Sequence, residues 1–333
     1  MAKTIAVLGA TGTQGGGVAK ALLKSGEWNV RAITRNTSST AAKALAASGA
    51  ELVAANADDV DSLVNAFEVR IPPIKIGVQA IFAVTNWWEH LFTGNDPHAS
   101  GRLEEQQAWN IATAASKTPS LQHYIFSTLP SAEKLSGGKF QVPHFDYKAK
   151  VDERIRKDLP ALAAKTTFLW LGWYPSNMAF FPMAKAIPVP GSETYIFVAP
   201  TPASAYMPVA GEVGTNTGVF VSAILANPDK SQGGRYVFVK TETITHGEIM
   251  KIWEGVTGKK AQWIPASREV FADMWGVAGA ELADQYIWGV EFPDWEVGSA
   301  KAVGFVAAEE LGVKDGDLVG LKESFGLLKD YLV

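Results

Sequence analysis

The sequence contains no cysteine. That absence excludes disulfides, thiolate nucleophiles and cysteine-held metals. Histidine is scarce: the five present are isolated, and none sits at a metal-ligand spacing such as H-E-x-x-H. No metal is expected. No apolar run approaches the roughly 18 residues that a membrane-spanning helix requires. The first apolar stretch, Ile5–Leu8, is too short for a signal peptide and runs directly into glycines. Together these absences predict a cytoplasmic protein with no membrane partner. Charge is sparse, with 19% charged residues and a net charge of −4. No lysine/arginine cluster could follow a phosphate backbone, so no nucleic-acid partner is expected. There is no internal repeat and no low-complexity tract. What remains is a 333-residue chain that is 47% apolar, enough for one large domain or two moderate ones.

The most informative stretch is the N-terminal one. Residues 4–16 read Thr-Ile-Ala-Val-Leu-Gly-Ala-Thr-Gly-Thr-Gln-Gly-Gly, followed by a helical pattern over Val18–Lys24. A strand that turns through Gly9, Gly12 and Gly15 into a helix start is a phosphate-binding device. Glycines allow a tight turn and close approach of backbone to a pyrophosphate. The helix end offers free N–H groups and partial positive charge. The spacing is G-x-x-G-x-x-G rather than the commoner G-x-G-x-x-G.

Arg35 closes the next apolar run, 20 residues after Gly15, and no acid lies between Val30 and Leu45. A site for NAD places an acid here for the ribose 2′-hydroxyl; a site for NADP places a cation for the 2′-phosphate. Arg35, with Asn36 beside it, therefore predicts NADPH/NADP+ as cofactor. A charge-assisted contact of about 1.5–3 kcal/mol would favour NADPH over NADH by about 10- to 150-fold.

Strand-like runs at Ile5–Leu8, Val30–Ile33, Glu51–Ala54, Val78–Val84, Tyr124–Phe126 and Thr166–Leu171 alternate with amphipathic stretches. Such alternation predicts an α/β protein, a doubly wound and mainly parallel Rossmann sheet. Ligands in these sheets bind beyond the carboxyl ends of the strands, which singles out Thr85-Asn86, Ser127-Thr128 and Gly172-Trp173-Tyr174. After Trp173, seven prolines break up residues 175–210. Later signals are a helix over Asn216–Ala226, a strand over Arg235–Lys240 rejoining the main sheet, and a capping box at Thr245–Glu248. Helices are expected at Ser267–Trp275 and Ala280–Gly289. The division read from this pattern is a dinucleotide-binding domain over 1–174 and 211–243. A smaller, irregular α+β substrate-binding part takes 175–210 and 244–333.

Several motifs now line up with one family. Gly9-Ala10-Thr11-Gly12-x-Gln14-Gly15-Gly16, Thr34-Arg35-Asn36 and Val84-Thr85-Asn86-Trp87-Trp88-Glu89 come first. Ser127-Thr128-Leu129-Pro130-Ser131 and His144-Phe145-Asp146-x-Lys148-Ala149-x-Val151-Asp152-Glu153 follow, all in order. The set resembles the NmrA-like proteins, atypical members of the short-chain dehydrogenase/reductase superfamily related to isoflavone reductase-like proteins. The resemblance covers residues 1 to about 265. It implies that Gly9, Thr11, Gly12, Thr13, Gln14 and Gly15 hold the pyrophosphate, and that Arg35 and Asn36 hold the 2′-phosphate. It further implies that Val84, Thr85, Asn86 and Thr128 line the path to the nicotinamide, flanked by Tyr174, Pro175 and Asn177. One departure stands out: the family's Gly-Asp after the third strand is Ala55-Asn56 here, so Asn56 would face the adenine.

Ordinary members of the superfamily use Tyr-x-x-x-Lys. Here the same spacing gives His144-x-x-x-Lys148, two residues on one helix face. Lys148 and His144 are the candidate catalytic residues, as ribose ligand and proton source. The alternative for Lys148 is an exposed lysine balancing Asp146 and Asp152. Eleven tryptophans are many for this length. Trp87, Tyr174 and Phe181 are the expected substrate contacts, and their bulk suits a flat, apolar ligand.

The leading expectation is an NADPH-dependent reductase of a bulky hydrophobic secondary metabolite, aromatic or alkaloid-like, reducing C=O, C=N or an activated C=C. The alternatives are a non-catalytic NADP(H)-sensing regulator and a redox-assisted cyclase or rearrangement enzyme. The molecule is expected to be a monomer or a weak homodimer.

Overall fold

Eight strands form one sheet in which every pairing is parallel. This architecture comes from a computed structural model that describes residues 3–71, 74–296 and 304–333. The strands are β1 (Lys3–Val7), β2 (Trp28–Thr34), β3 (Glu51–Ala54), β4 (Ala80–Ala83), β5 (His123–Ser127), β6 (Thr166–Leu171), β7 (Arg235–Val239) and β8 (Phe305–Val306). Their order across the sheet is β8-β7-β6-β5-β4-β1-β2-β3. The winding reverses between β1 and β4, which opens a crevice at their carboxyl ends.

The sequence explains the sheet's double cover. All residues of β4, β5 and β6 are buried, as expected for strands with helices on both faces. On β1, Ile5 and Val7 join one core while Ala6 belongs to the other, the period-two alternation of a strand. The first crossover helix, Thr13–Ser25, lies against the helix Val213–Ala226. A Cβ on Gly17 would overlap the Gly214 carbonyl, and one on Gly218 would lie 2.8 Å from the Gly17 carbonyl oxygen. Small residues are what allow these two backbones to touch.

Two smaller sheets lie in the second half. Lys260–Pro265, Thr194–Ala199 and Ile187–Pro188 form one of three strands; Tyr206–Val209 and Glu242–Thr245 form an antiparallel pair. The expected capping box is present: Thr245 Oγ1 accepts from Glu248 N at 3.2 Å and Glu248 accepts from Thr245 N at 2.8 Å. The two helices expected at Ser267–Trp275 and Ala280–Gly289 are the two arms of Arg268–Glu291, which meet at Gly276 with φ 64°.

Two features escaped the sequence reading. Glu68–Ile71 and Ile74–Gly77 pair as a hairpin. Phe305–Val306 returns to the main sheet beside β7. A two-residue strand is too short to show any alternation, and its place is set by the strand it joins.

Two consequences can be measured. Gly17→Val should force the two helices apart and cost about 1–3 kcal/mol, read as a lower urea midpoint. The second concerns acid. Burial lowers the pKa of both His123 and His246 to about 4 from the ordinary 6.5. Between those values the unfolded chain binds protons that the native one does not. Stability should be full above about pH 6.5 and fall toward pH 4, by up to about 1.4 kcal/mol per pH unit for each histidine. Urea midpoints from pH 7 to pH 4.5 check this, and His246→Phe should flatten the fall.

Candidate active site

The turn after β1 is built for close approach. Gly9 sits at φ 63°, and a Cβ there would come within 2.6 Å of Val84 Cγ1. A Cβ on Gly15 would overlap the Gly9 carbonyl. Gly12 is the N-cap of the helix that follows; it supplies no side-chain cap, and the first turn carries no acid. The helix therefore presents its first N–H groups and its positive end without a protein anion against them. Gln14, in that first turn, donates from Nε2 to the Tyr174 hydroxyl oxygen at 2.6 Å. Burial pushes the Tyr174 phenol up to about 12, so it stays protonated at neutral pH.

Beyond β2, Arg35 reaches across the crevice to Glu89. Nη1 donates to Oε1 at 2.5 Å and Nη2 to Oε2 at 3.1 Å, a bidentate pair. The Arg35 side chain is 67% exposed. Hydrogen bonding to Arg35 lowers the Glu89 carboxyl pKa, and the same bond raises that of Arg35. Asn36 and Asn56 each fold their Oδ1 onto a backbone N–H two residues later, Ser38 and Asp58.

Lys148 lies on the helix Pro143–Asp158 and is buried rather than exposed. Its partners are neither Asp146 nor Asp152. Nζ pairs with the Glu104 carboxylate and donates to Thr85 Oγ1 at 3.0 Å and to the Thr85 carbonyl at 3.2 Å. Thr85 Oγ1 in turn donates to Glu104 Oε1 at 2.9 Å. The Glu104 side chain is 0% exposed. Asp146 instead caps two helix starts, accepting from the backbone N–H groups of Glu133 and Val142. Burial raises its pKa.

His144 opens the same helix one turn before Lys148. Its Nδ1 lies 2.7 Å from Glu281 Oε1, and the same oxygen accepts its backbone N–H at 2.9 Å. The two side chains are 8% and 2% exposed. Its ring packs 5.6 Å from Trp87 and 5.3 Å from Trp88 between centroids. Trp88 meets Phe181 edge-on at 4.8 Å, and Phe92 closes the group from the exposed side.

One cleft of about 820 Å³ joins these parts. Along its wall lie the predicted turn residues Gly9, Thr11, Gly12, Thr13, Gln14 and Gly15. Arg35, Asn36 and Asn56 also line it, as do Val84, Thr85, Asn86 and Thr128. His144, Lys148, Tyr174, Asn177, Trp87 and Phe181 complete the set. Pro175 is buried and does not face the cleft. The sequence reading missed Glu104, Glu281, Leu282 and Gln285. Glu104 had no visible signal, since one acid on an amphipathic helix reads as a solvated face. Glu281 and Gln285 are four apart in a helix whose partner cannot be read from sequence. Among the described residues, no cluster of three or more His, Asp or Glu could hold a metal, and no helix is long and apolar enough to cross a membrane.

A model of the NmrA-like family matches residues 1–298. The chain belongs to that family. Its relatives include the NmrA-like family domain-containing oxidoreductase hkm9 of Aspergillus hancockii. That protein is 28% identical over 287 residues, which cover 84% of this chain and 80% of hkm9. Among solved structures, the negative transcriptional regulator NmrA in complex with NADP superposes with TM-score 0.72 at 19% identity, covering 99% of this chain and 95% of that one. The Citrobacter sp. triphenylmethane reductase complexed with NADP(H) superposes with TM-score 0.64 at 19% identity, covering 98% and 99%. These likenesses show the shared fold.

The buried Lys148–Glu104 pair gives a stability test. Glu104→Ala leaves the ammonium without its carboxylate and should cost about 3–5 kcal/mol, whereas Lys148→Met combined with Glu104→Leu should recover most of that loss. Urea denaturation of the wild type and the two variants checks it.

Proposed function

We propose that the chain is an NADPH-dependent oxidoreductase that reduces a bulky, flat, apolar substrate at a C=O, C=N or activated C=C bond. One observation carries this reading. A single cleft runs from an uncapped, acid-free helix start and an exposed arginine, past a buried lysine, to aromatic rings packed on a buried histidine. The residues present fit the cofactor. A turn that tolerates no Cβ at Gly9 or Gly15 leaves backbone room for a pyrophosphate. Arg35 is the accessible cation at the end where the 2′-phosphate belongs. The relatives named as oxidoreductases, and the complexes of similarly folded proteins with NADP, support the same reading.

When bound, the reduced nicotinamide supplies a hydride; the chain binds, orients and excludes water. Gly9 to Gly15 would hold the pyrophosphate, Arg35 and Asn36 the 2′-phosphate, and Asn56 the adenine side. Lys148 acts by position. Its ammonium protons are taken by Thr85 and Glu104, so it fixes the chain just beyond β4, where Thr85 and Asn86 meet the cleft. Trp88, Phe92 and Phe181 form an apolar wall that a flat ligand would cover. Phe92, at 63% exposed, is the part of that wall still open to water. His144 is the group placed to move a proton at the substrate.

The Arg35–Glu89 pair adds a sign that can be tested. A 2′-phosphate must take Arg35 from Glu89, so the carboxylate opposes NADPH. Arg35→Ala should weaken NADPH by about 10-fold or more and NADH much less, while Glu89→Gln should tighten NADPH. Quenching of tryptophan fluorescence on titration with each dinucleotide reads both. Equal losses on NADPH and NADH in Arg35→Ala would refute the assignment of Arg35. NADPH oxidation with bulky quinones and imines tests the reaction, and binding without turnover on any of them would favour a sensor.

A further inference from the structure

The helix Pro143–Asp158 begins without a side-chain cap from Val142. The N–H of His144, its second residue, would be an orphan donor. Glu281, from the second arm of the helix Arg268–Glu291, takes that N–H and the ring nitrogen of the same residue on one oxygen. An anion at a helix start is favourable, and a cation there is not. Protonating His144 at this position therefore calls for a nearby carboxylate, and Glu281 is the acid paired with it. A buried ion pair is weak evidence for stability, because apolar residues of the same volume often serve as well. A carboxylate held here against a cleft-lining histidine calls for a chemical role.

Nδ1 is engaged by Glu281, and among the described residues Nε2 makes no hydrogen bond while the ring lines the cleft. We infer that Glu281 is the positioning residue of His144: it holds the Nδ1–H and leaves Nε2–H to protonate the substrate. This rests on the reductase reading above. As hydride from the reduced nicotinamide adds to the substrate carbon, the C=O or C=N electron pair moves onto oxygen or nitrogen. That atom takes the proton from Nε2. The ring is left neutral with Nδ1–H still on Glu281, and water returns a proton to Nε2. Glu281 Oε1 remains the partner of Nδ1 throughout. The two rings of Trp87 and Trp88 beside the imidazole fix its plane and limit water around it.

The test uses the full-length protein in two arms. In the first, histidine is labelled with 15N in the ligand-free protein, and the imidazole nitrogens report which one carries the proton; His144→Asn assigns the signal. In its neutral form His144 should carry its proton on Nδ1 in the wild type and in Glu281→Gln, which keeps an acceptor oxygen. In Glu281→Leu it should shift toward Nε2. A wild-type ring protonated on Nε2 alone, or identical signals in wild type and Glu281→Leu, would overturn the inference.

The second arm follows reduction of 9,10-phenanthrenequinone by NADPH. Glu281→Gln should lower kcat by about 10- to 100-fold, within the range of a general acid, with KM changed less than about threefold. His144→Asn should lose at least as much, and the double variant little more than His144→Asn alone. A purely structural tie would be kept by Gln, so unchanged kcat in Glu281→Gln would also overturn it. A wild type that binds NADPH but leaves the quinone oxidised counts against the reductase reading. The nitrogen signals still decide the pairing.

Discussion

The contact on which the site depends is the approach of the first turn to the strand beside it. Gly9 lies so close to Val84 that no side chain fits between them, and Gly15 lies against the Gly9 carbonyl. This brings the start of the helix Thr13–Ser25 down onto the crevice between β1 and β4. A helix start stripped of caps and acids is then held at one fixed place by this close packing. The same helix is fixed from behind by Gly17 against Gly214. Displacing either glycine contact would move the free N–H groups relative to everything else that lines the cleft.

The second constraint is electrostatic. Two ionisable pairs are buried along the helix Pro143–Asp158, and each crosses between elements far apart in the chain. Lys148 joins that helix to Glu104 on the helix Pro97–Ser116 and to Thr85 beyond β4. His144 joins it to Glu281 on the C-terminal helix. Each ionisable group has its partner within the protein, which is the condition for burying such groups at tolerable cost. The pairs also divide the labour. The lysine's ammonium is taken up by Glu104 and Thr85. The histidine keeps one nitrogen free.

Legibility in the sequence followed distance along the chain. Gly9, Gly12, Gly15 and Arg35 were readable because the turn and the strand that follows it are local, and their chemistry needs those residue types. Thr85 and Asn86 were readable from a strand's end. The pairing of His144 and Lys148 was readable from helical spacing. Glu104 and Glu281 were not, because nothing near them in sequence distinguishes a buried acid from a solvated one. Glu89 was read as part of a motif, and its grip on Arg35 emerged only from the juxtaposition of β2 with the helix Trp87–Phe92. Pro175, assigned to the cofactor by analogy, is buried and is not among the residues that line the cleft.

By itself, the sequence determined the alternation of strands and helices, the glycine turn and the cation at the end of β2, since hydrophobic period and turn chemistry act over a few residues. The tertiary structure alone decided which acids pair with Lys148 and His144, and where the aromatic rings gather. Those outcomes depend on contacts between segments more than 40 residues apart. A charge is buried only when its partner arrives from elsewhere in the fold.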